Sequence, residues 1–232
     1  MVMIVQRGRA SNNNCVYVMG LIEFDVRKGV VMNREVQFEK RTVKSFSDYI
    51  YALFNVYSKI LVVRFDVGYA KEASRGASLD DLRNDVMHML ANMRGKPSLF
   101  KHLTGYIIKF EHGEGKGFHA HFILFYDGQK VCKDEYFSMQ VGEYWKQVIT
   151  KGDGLYFSCN VKKSEYVRCG IGMIDHADAV KREFFMKEVL SYLFREKQPI
   201  VAFKKTGKEK SIIKGIAPKA KGSEGRPRLE QC

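Results

Sequence analysis

Two long apolar runs separated by spaced glycines constrain this chain more than any other feature. Leu103 to Glu111 and Phe118 to Tyr126 each carry the β-branched and aromatic residues that favour strands, and Gly113, Gly115 and Gly117 lie between them. Such a unit folds back as an antiparallel pair. Side chains alternate along a strand, so His119 and His121 project from one face and Phe118, Ala120, Phe122 and Leu124 from the other. Antiparallel pairing brings Glu111, at the end of the first strand, beside the two histidines. His112 competes as a third ligand, but alternation puts it on the opposite face. Two imidazoles and a carboxylate on one rigid face are a candidate divalent metal site. Imidazole suits Mn, Zn, Fe or Co, and Mg enters where oxygens complete the shell.

The remaining pattern predicts an α+β chain. Two strands are expected at Val16 to Val26 and Val30 to Phe38, turning at Arg27-Lys28-Gly29, then a helix over 46–57. Ile60 to Val67 is nearly all apolar and reads as a central strand. A helix over 78–94 has Ser78 as its cap, Asp80 and Asp81 at its positive end, and Leu82, Val86, Met89, Leu90 and Met93 as its buried stripe. Helices are expected at 133–149, around Trp145, and from Asp178 to Glu196, with Pro199 beyond; a strand is expected at 155–161. This gives an N-terminal β/α extension over 1–58, a main domain over 59–203 and a basic tail over 204–232. The tail has nine Lys/Arg against three Asp/Glu and is expected to be largely mobile.

The 232 residues carry a net charge of +13, which draws the chain to polyanions, nucleic acid first. The five cysteines (Cys15, Cys132, Cys159, Cys169 and Cys232) form no CxxC, so free thiols in a reducing cytoplasm are expected. The apolar run in Met1 to Arg9 is too short for a signal peptide, and no stretch approaches a membrane span.

Tyr192, in the helix Phe184 to Lys197, is a candidate covalent nucleophile, with Arg195 three residues on where it could hold a phosphate. In isolation a tyrosine on an amphipathic helix is more often core or interface; the histidine pair gives it interest. Lys109, Lys116, Lys162, Lys163 and Arg168 are candidate phosphate contacts, and Tyr156, Phe157 and Tyr166 candidate base-stacking residues.

The string Glu111-His-Gly-Glu-Gly-Lys-Gly-Phe-His-Ala-His-Phe-Ile-Leu-Phe125 resembles motif two of the HUH endonucleases, the rolling-circle initiators and relaxases. Lys59-Ile-Leu-Val-Val-Arg-Phe-Asp-Val67, Gly172-Met-Ile174, Ser191-Tyr-Leu193 with Gln198, and Gly225-Arg-Pro-Arg228 are similar to the inovirus-type gene-product-two replication proteins of filamentous phages and phage-like elements. The resemblance covers roughly residues 45–228. It implies an antiparallel sheet flanked by helices, with His119, His121 and Glu111 holding a divalent metal (Mg²⁺ or Mn²⁺) and Tyr192 as the single nucleophile. The expected activity is nicking of single-stranded or hairpin origin DNA through a 5′-phosphotyrosine intermediate, with host helicase and polymerase as further partners. The family's usual lysine three residues after the tyrosine is Arg195 here, and Lys197 is the alternative proton-transfer group. Asp66 is either a supporting residue at the site or a plain strand-end aspartate that begins a turn with Gly68. The rival expectations are a non-catalytic DNA-binding regulator, a relaxase- or transposase-type HUH enzyme, and a metal-dependent hydrolase that cuts with water.

Overall fold

Backbone pairing produces two antiparallel sheets in the computed structural model, which describes residues 40–194 and 200–219 and three short strands before them. Those three are β1 (Val18–Met19), β2 (Ile22–Asp25) and β3 (Val30–Met32). They form a meander, with Met19 opposite Ile22 and Asp25 opposite Val30. The single strand expected over 16–26 is therefore two. The Arg27-Lys28-Gly29 turn lies outside the described residues.

The main sheet begins after helix α1 (Lys40–Val56), which is longer than the expected 46–57. Strand β4 (Lys59–Tyr69) leads into the one-turn helix α2 (Lys71–Ser74) and then α3 (Leu79–Asn92). Ser78 caps α3 as expected: its hydroxyl accepts from Asp81 N at 3.2 Å, and the Asp81 carboxylate accepts from Ser78 N at 2.8 Å. The one-turn helix α4 (Pro97–Phe100) precedes β5 (Leu103–Gly113) and β6 (Gly117–Asp127). Gly117, with φ of 65°, closes the turn between them in a conformation that side chains disfavour. Next come α5 (Asp134–Tyr144), a π-helical turn at Trp145–Ile149, β7 (Gly154–Ser158) and β8 (Gly172–Asp175). Helix α6 (Ala179–Phe184) widens into a π turn over Phe185–Leu190 and ends in α7 (Ser191–Phe194).

The strand order is β7-β4-β6-β5-β9, with β8 also on β4, and every pairing is antiparallel. Strand β9 (Ile212–Lys214) lies in the segment expected to be mobile. It pairs with Ile107–Lys109 of β5 and buries Ile212, while Arg83 pairs with Glu209 and Lys205 with Asp80. The tail is thus tied to the sheet through residue 214, because Ile212 and Ile213 supply apolar surface inside a lysine-rich stretch.

Helices cover both faces. Leu61, Val63, Phe65 and Val67 of β4, with Phe122 and Leu124 of β6, pack against Leu82, Val86 and Met89 of α3 and Val141 of α5. On the other face, Ile60, Val62, Ile107, Ile123 and Phe125 meet Phe46, Ile50 and Leu53 of α1 and Phe185, Val189 and Leu193 of the last helices. Helix α1, expected in the N-terminal extension, is therefore part of this second core. Each large apolar side chain so buried contributes roughly 1.5–3 kcal/mol. Those contributions fix the strand register, because a one-residue slip of β6 would drive His119 and His121 into the first core.

Strand β4 has two partners on one edge: β8 pairs with Lys59–Val62 and β7 with Phe65–Tyr69. At the break between them, the buried Asn160 side chain substitutes for a strand. Its Oδ1 accepts from Arg64 N at 2.7 Å, and its Nδ2 donates to Val62 O at 3.0 Å and to Asp134 Oδ2 at 2.8 Å. Strand β8 was not anticipated, and β7 ends three residues before the expected 161 because the chain turns there to deliver Asn160. Among the described residues, Cys132, Cys159 and Cys169 are free thiols, and no helix is long and apolar enough to cross a membrane.

Candidate metal centre

On the second face of the sheet, apolar cover gives way to a polar patch at one end of β4, β5 and β6. The register sets Asp66–His121–Lys109 in one row across the strands and His119–Glu111 in another, with Gly68 close to His119. Glu111, His119 and His121 are all buried, and one donor atom from each lies within 4.8 Å of the others.

Each imidazole is held by its Nδ1. That of His121 is 2.6 Å from Asp66 Oδ1, and that of His119 is 3.0 Å from the carbonyl of Gly117. Both Nε2 atoms therefore turn to the same carboxylate oxygen, Glu111 Oε2, at 2.9 Å from His121 and 3.6 Å from His119. The second carboxylate oxygen is engaged by Lys109 Nζ at 2.5 Å. Donors about 2.1 Å from a common ion lie about 3–3.4 Å apart, close to these separations. Nδ1 pinned to a carboxylate or carbonyl, with Nε2 facing inward, is how metal-binding histidines are oriented. The group can hold a metal ion. Gly68 lets His119 pack close against β4, since a Cβ there would lie 3.3 Å from His119 Cβ.

Burial and neighbouring charges compete at each of these groups. Burial pushes the Glu111 carboxyl up, but hydrogen bonds from both histidines and the charge of Lys109 outweigh it and leave the group well below the ordinary carboxylate range. Asp66 behaves likewise: burial is outweighed by the hydrogen bond and charge of His121, with Arg64 adding to them. Burial lowers the basicity of His121, yet its bonds to Asp66 and Glu111 raise it overall. Asp66 thus supports His121 from β4, which decides between its two sequence readings.

Tyr192 reaches this site from the last helix. Its ring stands edge-on to the His121 ring, with centroids 5.8 Å apart. Burial pushes its phenol up, and the Arg64 guanidinium, 4.6 Å from the ring centroid, opposes that rise. The π turn immediately before α7 changes the angular position of Tyr192 relative to a regular helix.

The other expected contacts scatter. Lys109 is 1% exposed and belongs to the carboxylate's surroundings, so it is no surface phosphate contact. It lies cross-strand from Ile212 of β9. Lys116 is exposed in the β5–β6 turn, and Lys162 is exposed with its Nζ 5.6 Å from the Phe157 ring centroid. Lys163 is committed to Asp134 at 2.8 Å and Glu135 at 3.1 Å, and Arg168 lies 3.4 Å from Glu188. Arg195 and Lys197 lie outside the described residues. His112 is on the opposite face, 4.5 Å from both the Phe118 and Phe203 rings. Phe157, cross-strand from Asp66 and 47% exposed, borders the site; Tyr156 faces the other way, toward Gly142 and Glu143. Tyr166 is exposed. Sequence reasoning missed Arg64, although it stands two residues before Asp66 and so shares its face.

The description of one protein family, the YagK/YfjJ C-terminal domain, matches residues 25–210. The chain belongs to the YagK/YfjJ C-terminal domain family. The matched residues take in most of both cores, the whole candidate centre and Tyr192. No curated protein and no solved structure matches the chain.

Proposed function

We propose that this member of the YagK/YfjJ C-terminal domain family is a metal-dependent DNA-nicking enzyme of the HUH type that initiates rolling-circle replication of a phage or phage-like element. The observation that carries the reading is the tyrosine beside the carboxylate–histidine group: Tyr192 against His121, in the same polar patch as Glu111 and His119. The sequence resemblance around Glu111 to Phe125 points the same way, as does the net charge of +13.

In this reading Glu111, His119 and His121 hold the ion, and Asp66 and the Gly117 carbonyl fix the two rings. A bound Mg²⁺ or Mn²⁺ would polarise the scissile phosphate and offset the charge that builds on its oxygens. The Tyr192 oxygen gives up its proton to solvent and attacks phosphorus, the bond to the 3′ oxygen breaks, and that oxygen takes a proton from solvent so that the strand leaves with a free 3′-hydroxyl. The 5′-phosphate remains on Tyr192, and attack by a 3′-hydroxyl on that linkage reverses the step and rejoins DNA. Phe157, exposed beside Asp66, offers a base a stacking surface, and Lys162 next to it offers a phosphate contact. The substrate is single-stranded or hairpin origin DNA.

The test is incubation of the protein with an end-labelled single-stranded oligonucleotide pool that includes the element's own origin, in Mn²⁺ or EDTA. A metal-dependent nick that leaves a free 3′-hydroxyl is expected. Salt-sensitive DNA binding with no nick would replace this reading by that of a non-catalytic DNA-binding regulator.

A further inference from the structure

Arg64 is an unusual residue for its place. It interrupts the apolar run of β4, a strand with neighbours on both edges. Its main chain is fixed on both sides of the residue: the N–H donates to Asn160 Oδ1 at 2.7 Å, and the carbonyl accepts from Cys159 N at 3.0 Å. Its side chain leaves that anchored point on the face of Asp66 and reaches the Tyr192 ring, where the guanidinium carbon is 4.6 Å from the centroid. The ring holds the guanidinium in place by cation–π attraction.

Among the described residues the guanidinium meets no side-chain acceptor. Its Nε is buried without a hydrogen-bond partner, and no carboxylate forms an ion pair with it among the described residues. The acids nearby are committed elsewhere: Asp66 to His121, and Glu111 to Lys109 and the histidines. A charge kept partly out of water, with its buried Nε donor unfilled, calls for an anion. Arginine's planar fork matches two oxygens of one phosphate better than any other side chain does.

We infer that Arg64 is a phosphate-binding residue whose guanidinium takes the oxygens of the nucleic-acid phosphodiester presented to Tyr192. The choice of a nucleic-acid phosphate rests on the nicking reading; the unfilled guanidinium does not. Arg64 stands where the ring of Tyr192 can align the fork, so the phosphate it binds is the one beside the nucleophile and not a surface contact.

The assay is fluorescence anisotropy of a labelled single-stranded oligonucleotide in EDTA, with the Tyr192→Phe chain as reference so that no cleavage occurs. Adding Arg64→Ala is expected to weaken binding roughly ten- to a hundredfold. It should also reduce the slope of log affinity against log salt by about 0.7, the signature of one lost phosphate contact on single-stranded DNA. Arg64→Gln, which keeps a polar side chain, should lower the slope equally and serves if the alanine variant fails to fold. Arg64→Lys keeps the slope and loses affinity, because the fork is gone. An unchanged slope in the alanine or glutamine variant overturns the proposal. Binding is read without metal and without the phenol. A reduced slope in a protein that never nicks DNA would keep the phosphate site and remove the nickase, and the converse result would do the opposite.

Discussion

Asp66→Ala removes the acceptor that orients His121 without touching a candidate metal ligand. The hydrogen bond is short, 2.6 Å, and joins a carboxylate to an imidazole. Bonds of this kind contribute about 1.5–3 kcal/mol, and loss of such outer partners weakens metal binding about 10- to 100-fold. The Asp66 side chain is 26% exposed, so water partly screens the pair and the lower end applies: about ten- to thirtyfold, or roughly 1.4–2 kcal/mol. Asp66→Asn keeps a neutral acceptor and should lose less. Calorimetric titration with Mn²⁺ at pH 8 should rank wild type tightest, then Asp66→Asn, then Asp66→Ala, with His119→Ala weakest. The pH dependence has a definite sign. His121 must lose its proton to bind metal, and Asp66 is one of the partners that raise its pKa despite burial. Affinity should therefore fall as pH drops through that raised value, starting at higher pH in wild type than in Asp66→Ala, so the gap between them narrows in acid. Wild-type Mn²⁺ affinity in Asp66→Ala at pH 8 would refute the supporting role of Asp66.

Two further substitutions test the frame that carries the site. Asn160→Ala takes the side-chain partner from Arg64 N and Val62 O and leaves Asp134 to Lys163 alone, and should destabilise the fold by about 3 kcal/mol in urea titration; a loss under about 1 kcal/mol would contradict its bridging role. Ile212→Ala should cost about 2–3 kcal/mol and speed hydrogen exchange at Gly215 N, which is bonded to Tyr106 O; unchanged stability and exchange would mean that β9 does not anchor the tail.

The most legible parts of the sequence were those fixed by local rules. The glycine-separated runs predicted β5 and β6, and with them the facing of Glu111 and His119, because a tight turn fixes register and register fixes faces. Ser78 and Asp81 announced the start of α3. What was hidden depends on non-local pairing. Strand β8 is four residues long and β9 three, too short for a periodic signal, and β9 lies in a lysine-rich stretch. Lys109 shares the face of Glu111 by alternation, but its burial, beside a β9 that no local pattern marks, is not a local property. The faces of Tyr156 and Phe157 follow from pairing Phe157 with Asp66, which no turn length dictates. Tyr192 could be named as a candidate but not located, since its approach to His121 depends on how the last helix packs and on the π turn within it. Arg64 was legible in principle: a lone charge two residues before Asp66 in an apolar strand marks the same face.

The central claim is that Tyr192 becomes covalently joined to DNA. Wild type and Tyr192→Phe would be incubated with origin-containing single-stranded DNA in Mn²⁺ or EDTA, resolved in SDS, and any adduct digested and mapped by mass spectrometry. The account predicts an SDS-resistant adduct in wild type with Mn²⁺ only, its phosphate on the peptide carrying Tyr192. It predicts no adduct in Tyr192→Phe, which still binds the DNA. An adduct that persists in Tyr192→Phe, or that maps to another residue, would contradict it.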